Sequence, residues 1–386
     1  MNGTIVLAGS IAQRAGKGGS AWVRLQYLLG FKRLGWEVVF VDRLEPEMCV
    51  DERGDRCPLE RSVNLAYLRR TMEAFGLAES WCLLYDGGRQ TVGLTRAQVL
   101  ERAQASALLI NIMGFLTDPE ILAAVPRRVF LDLDPGFGQM WRELKLADIF
   151  QGHDAFVTIG ENIGQPGCTI PTCGLSWVTT PQPIVLDHWR SEPPVLRGAF
   201  TSVASWRGAY GPVEYGGTRY GLRVHEFRKF IELPRRALYQ FELALDIHPV
   251  EARDIALFAS AGWFIVSPRH VASDPASYQR YVQQSMAEFG VAKNMYVQSN
   301  SGWVSDRTLC YLATGRPAVV QDTGFRGRYP TGTGLLAFAT LEEAADGVEA
   351  VVRDYPRHSQ AAREIAEAHF DSDKVLPRLL TRLGVN

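Results

Sequence analysis

The 386-residue chain is short of most features that would mark a function directly. No apolar run approaches the roughly 20 residues that a bilayer crossing needs. The opening Met1 to Gly9 is a short apolar run with neither a basic n-region nor a cleavage site, so the sequence reads as a protein that stays in the cytoplasm without membrane insertion. There is no excess of charge of one sign: 41 Lys and Arg stand against 42 Asp and Glu, for a formal net charge of −1. That excludes a global basic field for nucleic acid or anionic lipid, and any anion must bind at a local site. The six cysteines (Cys49, Cys57, Cys82, Cys168, Cys173, Cys310) form no Cys-x-x-Cys pair and no Cys/His metal spacing. They read as reduced thiols, and no metal site is expected. Neither a Walker loop nor Gly-x-Gly-x-x-Gly is present, which argues against a NAD-dependent oxidoreductase.

What is present is length and alternation. The chain is too long for one ordinary core and comfortable for two α/β domains. Apolar residues make up 46% and charged residues 22%, the profile of a globular protein. Thr4 to Ala8 reads as a buried strand. A Gly-rich loop follows, then helical spacing from Ser20 to Leu34, then a strand at Val38 to Asp42. That is one βαβ unit with a right-handed crossover. Further strands are predicted at Ala107 to Ile112, Arg128 to Leu133 and Phe156 to Ile159. Helices are predicted at Ser62 to Phe75 and Arg96 to Gln104.

Pro181, Pro183, Pro193 and Pro194 cluster between Thr179 and Leu196, where no helical period persists; this predicts a connection between domains. The pattern then restarts. Strands are predicted at Ala199 to Ala204, Phe241 to Leu245, Phe264 to Val266, Met295 to Gln298 and Pro317 to Gln321. Helices are predicted at Gly221 to Ile231, Pro275 to Phe289, Asp306 to Ala313, Leu341 to Tyr355 and His358 to His369. The expected fold class is α/β, with two Rossmann-like doubly wound domains facing a cleft: 1–185, 195–370, and a tail at 371–386.

The most informative stretch runs from Tyr296 to Phe325. A loop of small residues opens a helix, the helix stops at Gly315, and Arg316-Pro317 leads into a strand. Unpaired backbone N–H groups at that helix start carry the positive end of its dipole and suit an anion, most often phosphate. Gly302 permits close backbone approach, and Ser305 can cap the helix or donate to phosphate. Arg307 is a cation in the first turn, where it opposes the dipole unless it faces an anion. A plain capped helix explains the same residues. Asp322, Thr323 and Gly324 follow the next strand, at the edge where open α/β sheets bind ligands. They suit sugar hydroxyls, and they equally suit a turn.

Asn300-Ser-Gly-Trp-Val-Ser305 through Leu309, Ala313-Thr-Gly-Arg-Pro317 and Asp322-Thr-Gly324 together resemble the donor-site motif of GT-B glycosyltransferases. Gly302 matches the motif's first glycine, Ser305 its threonine, and Gly315 with Pro317 its Gly-x-Pro. The closing Gly334 to Phe338 and Leu341 to Ala345 resemble the same family. Architecture is similar over most of the chain, and the motif over about thirty residues. Three positions depart: the family His falls on Asn300, its second Gly on Val304 and its Glu on Thr308. Thr308 cannot act as a carboxylate; Asp306 and Arg307 are the nearest charged candidates for the donor, without a role carried over by position, and the nucleotide is left open.

The resemblance implies a glycosyltransferase moving a sugar from a UDP- or TDP-sugar to a small-molecule acceptor, with no metal and no further cofactor required. It puts the donor on the second domain and the acceptor on the first. It adds Arg207 as a phosphate ligand and Lys293 as a nucleotide contact, and has the last predicted helix pack back on the first domain. Arg207 is otherwise a solvated arginine, and the Gly- and Tyr-rich Gly211 to Arg223 is a hairpin or a cleft-lining loop. On the acceptor side, Gly16, Lys17, Gly18 and Gly19 sit between a strand and a helix start, facing the cleft or forming a flexible turn. An inverting transfer needs a base, for which His153 and Asp134 are the candidates; a retaining one needs none. Two alternatives share the fold: a sugar-nucleotide epimerase, and a catalytically silent nucleotide-sugar-binding partner protein.

Overall fold

The computed structural model describes residues 3–190, 197–208 and 210–385. Eight strands come from the first part of the chain: Thr4–Ala8 (β1), Glu37–Leu44 (β2), Trp81–Tyr85 (β3), Gln90–Gly93 (β4), Ser106–Ile112 (β5), Arg128–Asp132 (β6), Ala155–Thr158 (β7) and Trp177–Thr179 (β8). They form one sheet in the order β4-β3-β2-β1-β5-β6-β7-β8, and only the β3–β4 pair is antiparallel. All five residues of β1 are buried, as a parallel strand covered on both faces requires.

The second part gives Arg197–Ser205 (β9), Val213–Tyr215 (β10), Thr218–Tyr220 (β11), Gln240–Asp246 (β12), Trp263–Val266 (β13), Ser285–Gly290 (β14), Ala318–Gln321 (β15) and Leu335–Phe338 (β16). Six of them form a wholly parallel sheet, β13-β12-β9-β14-β15-β16. Strands β10 and β11 are a separate antiparallel hairpin, turning at Gly216 and Gly217, so the Gly- and Tyr-rich segment takes the hairpin alternative. Strand order reverses between β1 and β5 in the first sheet and between β9 and β14 in the second. Those reversals splay the following loops apart and open a crevice beyond the strand ends.

Three expectations need correction. Pro275 to Phe289 is not one helix: the helix Pro275–Gln284 ends, and β14 begins at Ser285 in the middle of the second sheet. Its Met, Ala and Glu favour helix locally, but burial of Ala287 and Phe289 in the core decides for strand. Met295 to Gln298 is not a strand but part of the short helix Asn294–Gln298, with Met295 and Tyr296 turned inward. Residues 371–386 are not an irregular tail, since they contain the helix Ser372–Arg382. That helix packs on the first-lobe helix Gly18–Arg33, and Arg33 pairs with Asp373 at 2.8 Å. Pro193 and Pro194 lie outside the described residues.

The lobes are joined by more than the connection. One hydrophobic cluster contains Leu25 and Leu28 of the first lobe together with Leu309, Leu312 and Leu376. A second, centred on Phe241, Trp263 and Phe289, belongs to the second sheet alone. Trp22 donates to the Pro275 carbonyl at 2.8 Å, and a smaller cluster sets Phe137 and Met140 of the first lobe against Tyr220, Tyr296 and Trp303.

Candidate active site

The loops beyond β1, β5 and β6 face those beyond β9, β12, β13 and β14 across a cavity of about 1270 Å³. First-lobe lining includes Arg14 to Ser20, Arg24 and Asp134; second-lobe lining includes Arg223, Lys293 and Trp303.

The loop after β1 is shaped by a carboxylate. Asp42, fully buried on β2, accepts from the backbone N–H groups of Ile11 and Ala12, both at 2.7 Å. Burial pushes its carboxyl up to about 7 against those bonds and the nearby Arg24. The loop then reaches the second lobe. The Gly18 N–H donates to the Ala272 carbonyl at 2.9 Å, and a Cβ on Gly18 would stand 2.1 Å from the Asp274 carbonyl oxygen. No other residue allows that approach. Gly16 and Gly19 line the cavity beside it, and Lys17 lies 3.5 Å from Asp246 across the gap.

Four cations converge behind this loop. Arg24, 7% exposed, projects from the helix Gly18–Arg33. Its Nη1 donates to the Ser20 carbonyl at 3.0 Å, while its buried Nε has no partner among the described residues. The buried Nε of Arg223 is likewise without a partner there. Burial pushes the Arg24 guanidinium down to about 9, assisted by the charge of Arg14, and that of Arg223 down to about 10, assisted by Arg307. Lys293 feels both Arg223 and Arg14, so the four form one electrostatic cluster. Buried guanidinium atoms without partners are costly, and an anion in the cavity would satisfy them.

Ser305 caps the helix Asp306–Ala313, its hydroxyl accepting from the Arg307 N–H at 3.3 Å. Asp306 is desolvated, which raises its carboxyl above the usual range despite Arg307, Arg24 and Arg223 nearby. Arg307 lines the cavity but turns its bonds inward, to Glu288 at 2.6 Å and the Val203 carbonyl at 3.0 Å. Its first-turn charge is thus answered by a buried carboxylate. Asp134, beyond β6, bonds Lys293 Nζ at 2.8 and 2.6 Å and also accepts from the Tyr296 hydroxyl.

The rest of the motif faces elsewhere. Asn300, at φ 51°, and Gly302, at φ 73°, pack on Asn162 of the first lobe. The Asn162 Nδ2 donates to the carbonyls of Asn300 and Gly324, each at 3.0 Å, and its N–H to the Ser301 carbonyl at 3.0 Å. Thr323 donates to the Trp303 carbonyl at 2.5 Å, and Asp322 accepts from the Gly324 N–H at 2.9 Å and pairs with Arg326. Asn300, Gly302 and Gly324 thus close an interlobe seam, Asp322 and Thr323 bond within the second lobe beside it, and none of the five lines the cavity.

Two more expectations are displaced. Arg207, 54% exposed, is clamped by Glu251 outside the cavity, because the chain beyond β9 turns it away. His153 is not in the cavity either. It precedes β7, where Asn111 and the Phe150 carbonyl hold its two ring nitrogens at 3.0 and 3.1 Å and Phe130 packs on its face. The same local geometry pairs its neighbour Asp154 with Arg128 at the entry end of β6, opposite the cavity. Arg14, Arg24, Arg223 and Tyr296 were not singled out by sequence reasoning. Arg24 left one signal: a cation at a position flanked by Trp22, Leu25 and Leu28 on a helix with little polar surface.

No family model matches the chain, and no curated protein matches it significantly in sequence. Solved structures do. An alpha-glucosyltransferase in complex with UDP and a 13-mer DNA superposes with a TM-score of 0.62 at 10% identity, over 99% of this chain and 100% of that one. The chain has the GT-B fold. Two further structures share it at similar reach. Anabaena HepE in complex with UDP-glucose gives 0.57 at 11% identity, over 99% of each chain. Sucrose-phosphate synthase from Thermosynechococcus elongatus gives 0.52 at 13%, again over 99% of each. In this GT-B chain the cavity occupies the interlobe position at both topological switch points. Among the described residues, no helix is long and apolar enough to cross a membrane.

Proposed function

We propose that the protein is a glycosyltransferase that takes its sugar from a nucleoside diphosphate donor, UDP-sugar in the first instance, and passes it to a small-molecule acceptor. The observation that carries this reading is the pair of buried Nε atoms of Arg24 and Arg223 beside the cavity, neither of which has a partner among the described residues. A diphosphate brings two negative charges and several acceptor oxygens, which suits that cluster. The cluster also has a chemical use. As the bond between the sugar and the diphosphate breaks, the leaving group gathers charge, and fixed guanidinium groups in a desolvated site stabilise it. Asp134, a cavity-lining carboxylate paired with Lys293, could take a proton from an acceptor hydroxyl.

Neighbours support the donor. HepE was solved with UDP-glucose, and the alpha-glucosyltransferase with UDP. The latter was also solved with DNA, but the present chain has a net charge of −1 and offers no long-range field for a polyanion, which favours a small acceptor. The donor binding to the second lobe and the acceptor approaching from the first is part of the same proposal.

The test is an incubation with UDP-glucose and a panel of small acceptors, read by UDP release and by mass of the product. Acceptor-dependent UDP release with a heavier acceptor supports the transferase. A changed sugar with no acceptor consumed, or UDP binding without turnover on any acceptor, contradicts it.

A further inference from the structure

The first-lobe Asp134 and the second-lobe Lys293 meet across the mouth of the anion cluster. Lys293 Nζ bonds both oxygens of Asp134, at 2.8 and 2.6 Å, and the two side chains are only 17% and 19% exposed. Tyr296 adds its hydroxyl to the same carboxylate. Around the ammonium stand the rings of Phe137 at 5.1 Å, Tyr296 at 5.3 Å and Tyr210 at 5.8 Å. Phe137 belongs to the first lobe, and Tyr210 and Tyr296 to the second, so the cage is itself assembled from both. Burial depresses the ammonium, and the Asp134 carboxylate opposes that depression.

Lys293 therefore answers to two anions. One is Asp134. The other is whatever enters the cluster of Arg14, Arg24 and Arg223, of which Arg223 and Arg14 act on Lys293 already. A diphosphate in the cavity attracts Lys293 and repels the Asp134 carboxylate, and the two negative groups compete for one cation. We propose that Asp134 and Lys293 form a latch across the cleft, closed in the empty protein and opened by the diphosphate. Opening moves Lys293 onto the leaving group and releases Asp134 for the acceptor side. Lys293 is then a positioning residue for Asp134 before the donor arrives and a ligand of the donor afterwards. This rests on the nucleotide-sugar reading above.

What separates the latch from simple repulsion between Asp134 and an incoming anion is its dependence on Lys293: the tighter binding that Asp134→Asn confers is lost when that change is made in a Lys293→Met background. Neutralising Asp134 removes the competitor, so Asp134→Asn binds UDP about tenfold more tightly than the wild type, although its ligand-free melting temperature falls. Lys293→Met goes the other way and binds UDP at least tenfold more weakly. Asp134→Ser removes the charge with a smaller side chain and guards against a folding defect peculiar to Asn. Calorimetric titrations use both UDP and inorganic pyrophosphate, which needs only the anion cluster. Tightening for pyrophosphate with no UDP binding by any form keeps the latch and refutes the nucleotide reading. Unchanged or weaker binding of both probes by both Asp134 variants, in proteins that melt cooperatively, overturns the latch.

Discussion

Two parts of the molecule gather polar side chains between the lobes, and they treat them oppositely. At the seam around Asn162, the carboxamide is fully engaged, donating to Asn300 and Gly324 and accepting from Arg328 at 2.8 Å. Next to it, Arg328 also reaches the Glu161 carbonyl at 2.5 Å, and Tyr329 donates to the Glu161 carboxylate. In the cleft, the guanidinium groups of Arg24 and Arg223 are desolvated, yet their Nε atoms have no partner among the described residues. A satisfied network holds two surfaces in one register. A desolvated one left incomplete is costly to the protein alone and persists where a ligand completes it. On the function proposed above, the difference separates a lock from a site, even though the motif resembling a donor loop falls largely on the lock.

The lock should break without harming the site. Gly324 has φ 95°, and a Cβ there would stand 1.9 Å from Asn300 Oδ1. Gly324→Ala is expected to cost about 3 kcal/mol of stability, seen as a lower midpoint in urea, while the folded fraction binds UDP nearly as the wild type does. A loss of UDP affinity beyond tenfold with normal stability would move the seam into the site. Asn162→Ala is expected to cost about 2 kcal/mol by stranding the partners of its carboxamide, again with nucleotide affinity unchanged.

The smallest effect concerns His153. Burial lowers its pKa, with bonds to Phe150 and Gln151 opposing. The unfolded chain then takes up a proton near its ordinary value of about 6.5 while the folded state does not, so stability falls as pH drops through that value. His153→Gln should lose less stability than the wild type between about pH 7 and pH 5.5, by a fraction of a kcal/mol, measured by urea unfolding at each pH. Turnover should stay close to normal, and a large loss of turnover would return His153 to the chemistry.

Much of the fold is legible in the sequence because parallel sheets announce themselves. The helix Arg96–Gln104 follows the capping threonine Thr95, and Asp306–Ala313 follows Ser305, each at its expected ends. Strand β14 is not legible, because Met286 and Glu288 favour helix and only the sheet around them makes it a strand. The site is less legible for a related reason. Ser305, Asp306 and Arg307 are placed at the cavity, but Asn300, Gly302 and Gly324 serve the seam. Nothing local distinguishes a glycine that admits a phosphate from one that admits Asn162. Arg24 and Arg223 come from two helices, Gly18–Arg33 and Arg223–Phe227, some two hundred residues apart, and only the folded chain brings them together.

On the function proposed above, the anion site is centred on Arg24 and Arg223 and excludes Arg207. Calorimetric titration of UDP into three single variants tests it most directly. Arg24→Ala and Arg223→Ala should each weaken UDP by about a hundredfold, the scale of a lost charged hydrogen-bond donor in a desolvated site, and Arg207→Ala by less than about twofold. The reverse pattern, with Arg207→Ala abolishing binding while the other two bind UDP normally, would contradict the account.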